Sequence, residues 1–383
     1  MKSALVKLPE RNVIRVEKRY DIHINGQDNA YPTNMERLIN SSPTAKSCAK
    51  TMAKFIAGAG FTVNFSDELY VGKNADGHLT LEDVLKQVAY SIAYQNAFAL
   101  HFNYNLLGQI TSVTPVPNKH LRFGLADTEG YKGKVVMYDN WDYSKEQRIR
   151  KDKFVVFDVF NSRKEVVQAQ IEAAGGLYKY NGQILVVKME DGIYPLSPID
   201  CSRMDANTEY QLALFKNRTT RKGFVGKKIV TTQEFTSDED REEFQKDLKN
   251  IQGMESEADI LHIETNFTGD DKTKMVQVAQ LDSDIKTDLF NTWEQPVTNN
   301  IRKAFNNIPT VLVDFIDGKL GNTSGESFKM AQAFYNAQTS EERNKVSRTF
   351  KKLFANFYIN INPANDWSIK QLDLLADGTT SNQ

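Results

Sequence analysis

The stretch "YPLSPIDCSRMDANTEYQLALFKNRTTRKGFVGKK" (residues 194–228) decides how the chain is read. Ser197 stands as an N-cap, Pro198 follows at the first helical position and Asp200 at the third, an acidic variant of the capping box. The pattern predicts a helix of about 20 residues to Asn217, about 30 Å long. The composition then turns basic. Residues 216–228 contain Lys216, Arg218, Arg221, Lys222, Lys227 and Lys228 and no acid. Gly223 and Gly226 close the helical pattern. A helix ending this way either grips nucleic acid or leads into an insertion.

The downstream residues favour an insertion. "KKIVTT" reads as a strand, "SDEDREEFQKDLKNIQG" as an acidic amphipathic helix with Phe244, Leu248 and Ile251 on one face, and "ADILHIE" as another strand. Residues 234–259 hold ten acids against three bases, Arg241, Lys246 and Lys249. A second long helix follows in "LDSDIKTDLFNTWEQPVTNNIRKAFNNIP", where Ile285, Leu289, Trp293, Val297, Ile301 and Phe305 recur every four residues. Pro296 in its middle removes one backbone bond and predicts a kink. After the Gly-rich loop "VDFIDGKLGNTSGES", a final helix or helix pair is expected over 326–358. The tail from Ala376 reads as disordered.

Upstream the texture is α+β. Ser42 and Pro43 start a helix in "SSPTAKSCAKTMAKFIAGAGF", which Gly58 or Gly60 stops. Thr80, with Asp83 three residues on, starts another, whose apolar stripe is Leu81, Val84, Leu85, Val88 and Ile92. "AFALHFNYNLLGQITSVTPV" reads as two strands around a turn at Asn105–Gly108, and "KVVMYD", "KFVVFDVF" and "QILVVKM" as further strands. Segment 80–190 is therefore expected to set helices against a mainly antiparallel sheet.

The totals fit a folded chain with a sizeable core: 383 residues, 40% apolar, 10% aromatic. Lys and Arg (48) nearly balance Asp and Glu (49), which argues against a protein that coats nucleic acid, although local patches remain open. Cys48 and Cys201 are far apart, so neither a disulfide framework nor a thiolate metal site is expected. No signal-peptide pattern and no long apolar run is present, so the sequence reads as a soluble intracellular protein without a membrane partner.

Reactive groups do not converge. His23, His78, His101, His120 and His262 are scattered, and no HExxH or GxSxG occurs. "GKLGNTSGES" lacks the GxxxxGK[ST] spacing of a phosphate loop and reads better as a loop before a capped helix. Asp270, Asp271, Asp282 and Asp284 could hold a cation, but such acids more often begin helices. The expectation is no catalytic residue, no metal and no cofactor. For the cations of 216–228, the acidic helix next door favours pairing between subunits, then a plain solvated surface, then direct contact with nucleic acid.

The order of these elements resembles a tailed-bacteriophage portal protein. The resemblance is carried by "SSPTAKSCAKTMAKFIAGAGF", the α+β region, the "YPLSPI" helix start, "LFKNRTTRKGFVG" and the insertion. It continues through "LDSDIKTDLFNTWEQPVTNNIRKAFNNIPTVLV" and "NTSGESFKMAQAFYNAQTSEERNKVSRTFKKLF", covering about residues 33–358. It implies an α+β, portal-like fold. Residues 1–196 would be the wing, 197–217 a stem helix and 218–280 a small α+β clip. Residues 281–310 would be the second stem helix with its kinked continuation, 311–325 the tunnel loop, and 326–375 a C-terminal helical region with a reduced crown. It also implies a homo-oligomeric ring of about twelve subunits at one capsid vertex. Double-stranded DNA would pass through it during packaging and ejection. Terminase, head–tail connector or adaptor proteins, and major capsid and scaffold proteins would be its partners. The place would be the virion, with host cytoplasm during assembly.

Within that resemblance Asp317, Lys319 and Asn322 are the tunnel-loop residues, and Lys216, Arg218, Arg221, Lys222, Lys227 and Lys228 the clip and intersubunit cations. Two features depart from the pattern: Pro195, not Gly, follows Tyr194, and the sequence ends soon after 358. The competing readings are a metal-dependent nucleic-acid enzyme and another phage ring or adaptor component.

Overall fold

A computed structural model describes residues 14–63, 69–74, 77–126, 132–143, 149–222, 228–233, 237–239, 241–244, 246, 260–265, 276–280, 287–314, 324–362 and 364–374. The chain divides into two units, Met1–Asn207 with Val297–Gln383, and Thr208–Pro296.

The first unit opens with an antiparallel pair, β1 (Ile14–Glu17) and β2 (Ile22–Asn25), then helices α1 (Tyr31–Ser41) and α2 (Pro43–Ala57). The Ser42 hydroxyl accepts the Ala45 N–H at 3.1 Å and Pro43 occupies the first helical position, as the sequence predicts. Gly58 ends α2 with φ +57°, and a Cβ there would lie 2.0 Å from the Lys370 carbonyl oxygen, so glycine is required for the close approach. After β3 (Tyr70–Asn74) and β4 (Gly77–Thr80) comes α3 (Leu81–Gln95). The capping box of Thr80 and Asp83 is complete: each side chain accepts the other's backbone N–H.

The central sheet holds β5 (Ala97–Tyr104), β6 (Ile110–Val116), β7 (Leu121–Phe123), β8 (Lys134–Met137), β9 (Val155–Val159) and β10 (Gln183–Lys188), in the order β6-β5-β10-β9-β8-β7. Asn105 shapes the β5–β6 turn, its side-chain Oδ1 accepting the N–H groups of Leu107 and Gln109. Pairing is antiparallel except between β9 and β10. That parallel pair needs a crossover, which helix α4 (Lys164–Ala173) supplies.

Helix α5 (Arg203–Lys222) leaves this unit and α6 (Thr287–Ala304) returns to it. α7 (Ser324–Gln338) and α8 (Ser340–Phe354) follow. The expected kink site, Pro296, lies inside α6, which continues past it to Ala304. Among the described residues the core falls into three apolar clusters, of which one is much the largest. Met52, Phe55 and Ile56 of α2, Val84, Val88 and Ile92 of α3, and Phe98, Leu100 and Phe102 of β5 join Ile301 and Phe305 of α6 and Val346 and Phe350 of α8. Burying each such side chain is worth about 1.5–3 kcal/mol before entropy is charged.

The second unit contains β11 (Lys228–Gln233), β12 (Ile260–Thr265) and β13 (Val276–Gln280) in the order β12-β11-β13. β11 runs parallel to β12 and antiparallel to β13. Its parallel pair also needs a crossover, and the described residues between 238 and 246 are helical, where the acidic helix is expected. The predicted apolar positions Leu248 and Ile251, and the tail from Ala376, lie outside the described residues.

Candidate functional site

The start of α5 is tied to the rest of the first unit by a dense set of hydrogen bonds. Ser197 stands at the N-cap with Pro198 at the first position, as expected, but its hydroxyl makes no capping bond and donates instead to the Tyr94 carbonyl at 2.6 Å. A 3₁₀ turn, Pro198–Ser202, takes the place of the predicted first α-helical turn. The Tyr31 hydroxyl donates to the Asp200 carboxylate at 2.9 Å and accepts the Ser197 N–H at 3.1 Å. The Ser202 hydroxyl donates to the Asn300 carbonyl at 3.0 Å, and the Asn300 side-chain amide donates to Asp205 at 3.2 Å. Tyr194, just upstream, donates to the His23 carbonyl at 2.6 Å and accepts the Phe123 N–H at 2.9 Å. Five elements, β2, α1, α3, β7 and α6, therefore hold the twelve-residue entry 194–205 in place.

Burial decides the electrostatics. It pushes the Tyr31 hydroxyl far above the ordinary phenol range, helped by the neighbouring Asp200 carboxylate. It pushes Tyr194 up to about 12 and raises Tyr94. The Tyr31 and Tyr194 phenols stay protonated and act as fixed hydrogen-bond pins, whereas Tyr94 contributes its backbone carbonyl. Beneath them Arg122 is fully buried on β7; burial lowers its guanidinium to about 10, still charged at neutral pH. It donates to the Asn29 side chain at 2.6 Å and to the carbonyls of Asn29, Leu121 and Lys119, with the Trp141 ring 5.3 Å away. Such a network fixes backbone geometry; it presents no nucleophile or open acid–base pair.

The predicted cations are spread along the second unit. Lys216 lies on α5 and forms an ion pair with Glu294 of α6, so its charge has a partner within the chain. Arg218, Arg221 and Lys222 lie in the last turns of α5, and Lys228 opens β11. Lys227, Asp317, Lys319 and Asn322 lie outside the described residues, as do Asp270, Asp271, Asp282 and Asp284. Among the described residues no cluster of three or more His, Cys, Asp or Glu side chains could hold a metal ion. Cys48 is buried and Cys201 exposed, and neither forms a disulfide. No helix among the described residues is long and apolar enough to cross a membrane.

Sequence reasoning missed Tyr31, Tyr94, Tyr194, Asp205 and Asn300. Their partners lie up to 171 residues away, so no local spacing encodes the ties. The only available signal was a pair of acids, Asp200 and Asp205, in the first turns of a helix rich in polar residues.

No protein-family model and no curated protein matches the chain. Among solved structures, the fold is similar to a chain of the virion of the native gene transfer agent particle. The TM-score is 0.52 at 10% identity, over 91% of this chain and 84% of that one. It is also similar to a chain of the neck of the empty gene transfer agent particle computed with C6 symmetry, with TM-score 0.50 at 10% identity over 91% and 85%. An HK97-family phage portal protein from Corynebacterium diphtheriae overlaps more weakly, with TM-score 0.43 at 8% identity over 82% and 89%. The likeness is one of fold, and the α+β class expected from the sequence is the class found.

Proposed function

We propose that this chain is the portal subunit of a phage-type particle, a non-enzymatic conduit for double-stranded DNA at one capsid vertex. The observation that carries the reading is the match of nearly the whole chain, 91%, to chains of a virion and of a neck solved with C6 symmetry. The element order agrees with it: an α+β body, a helix leading out, a small inserted sheet, a helix leading back and two closing helices. Heterologous contacts repeated around an axis close such subunits into a ring, here of about twelve.

In this reading 1–196 is the wing, α5 and α6 are the stem, 218–280 the clip and 311–325 the tunnel loop, with Lys319 the group nearest DNA. The pinned entry to α5 gives every subunit the same stem start, which a closed ring demands. Clip residues receive terminase during packaging and connector proteins afterwards, while capsid and scaffold proteins surround the wing. The motor's ATP chemistry belongs to the terminase.

Negative-stain microscopy of the purified chain tests this. Closed rings with a central hole are expected. Particles without a hole at every salt concentration tried would contradict it.

A further inference from the structure

Helix α2 is apolar on one side and basic on the other. Cys48, Met52, Phe55 and Ile56 are buried in the core, whereas Lys46, Lys50 and Lys54 are exposed. Spacing of four residues puts the three ammonium groups on one face, about 6 Å apart along the axis. Exposed Ser47 and half-exposed Thr51 lie beside them. No acid occurs between Glu36 and Asp67, and Glu36 is itself paired with Lys119 at 2.9 Å. Among the described residues none of the three lysines has an ion-pair partner. Past the helix end the row continues. The Ala59 N–H donates to the Lys370 carbonyl at 3.0 Å and the Lys370 N–H to the Gly60 carbonyl at 2.9 Å, which places exposed Lys370 beside the C-terminus of α2. Glu82 approaches this far end at Gly60.

We propose that this face binds the phosphate backbone of double-stranded DNA without regard to sequence. Successive phosphates of one duplex strand rise about 3.4 Å along the axis and, with the turn of the strand added, stand about 7 Å apart. Lysines about 6 Å apart match that repeat, and their four-carbon stems absorb the difference. The hydroxyls of Ser47 and Thr51 supply further donors of the kind that reach phosphate oxygens. A flexible acidic peptide offers no fixed repeat for such a row to match. α2 is not one of the stem, clip or tunnel-loop segments of the ring reading, so the inference goes beyond that reading.

The test measures binding of the full chain to a fluorescent 25-base-pair duplex of arbitrary sequence between about 50 and 200 mM salt. The variant K46Q/K50Q/K54Q should lower the slope of log K against log salt by about 2.7, with affinity at the lowest salt falling at least about tenfold. K46R/K50R/K54R should keep the slope. Because the sites are exposed, all three proteins should melt alike by circular dichroism. An unchanged slope in the glutamine variant would overturn the inference, as would wild-type chain that binds polyglutamate but not DNA. Rings without DNA affinity would overturn it and leave the portal reading standing; DNA affinity without rings would do the reverse.

Discussion

Two of the chain's runs of cations, one in each of its units, are built on different plans. Lys46, Lys50 and Lys54 stand at strict four-residue spacing on a helix whose opposite side is buried in the core. Residues 216–228 hold twice as many cations at uneven spacing, at the end of a helix and across a glycine-marked passage, with an acidic segment following in sequence. The first of them, Lys216, is already paired with Glu294. The regular row suits a regular polyanion, and the irregular run suits protein contacts. Counting charge alone would have ranked them the other way.

The comparison breaks first at its foundation, the rigidity of the first unit. Arg122→Met leaves the Asn29, Leu121 and Lys119 oxygens buried without their donor and should cost at least about 3 kcal/mol in the urea transition of that unit. A loss below about 1 kcal/mol would mean that the network does not hold β7 to the β2–α1 loop.

Alkaline titration probes the same interior. Tyr31, Tyr104, Tyr194 and Tyr335 all have hydroxyls raised by burial. Each folded value lies above the unfolded one near 10, so the contribution to stability is complete below pH 10. It is lost as pH rises towards about 12 for Tyr194, at up to about 1.4 kcal/mol per pH unit for each protonated phenol. Unfolding followed by near-ultraviolet circular dichroism should steepen above pH 10; a flat profile to pH 12 would contradict the burial.

Thr80→Ala removes one half of the capping box on α3 and should cost about 1 kcal/mol, read from the same urea transition. The second cation run is sharpened by reversal: R221E/K222E should weaken ring assembly, measured by sedimentation, more than DNA binding, measured by anisotropy. The opposite ranking would make the run a grip on the genome. Smallest of all, Lys216→Gln should change stability by less than about 1 kcal/mol, because both partners of its ion pair are about half exposed.

What the sequence made legible was local. Ser42–Pro43, Thr80–Asp83 and the Asn105 turn announce their elements because the caps and turns that make them lie within a few residues. Helix α1 went unread: Ala30 at its N-cap offers no side-chain hydrogen bond. The short pairs β1–β2 and β3–β4, and β13, were also missed, since strands of four or five residues give too few alternations to count. Ser197 holds the expected N-cap position but not the expected capping bond, for a different reason. Its neighbours Pro198 and Asp200 imitate a capping box, but a tertiary acceptor, the Tyr94 carbonyl, takes the hydroxyl. The α2 lysines were visible as a spacing and an absence of acids, yet only the burial of Cys48, Met52 and Phe55 shows that their face is the exposed one.

Sedimentation of the purified chain tests the central claim most directly. A ring of about twelve copies of this 43.5 kDa chain should sediment near 520 kDa as a closed species that dilution does not extend or shorten. A single species at 43.5 kDa under every salt condition would contradict the account.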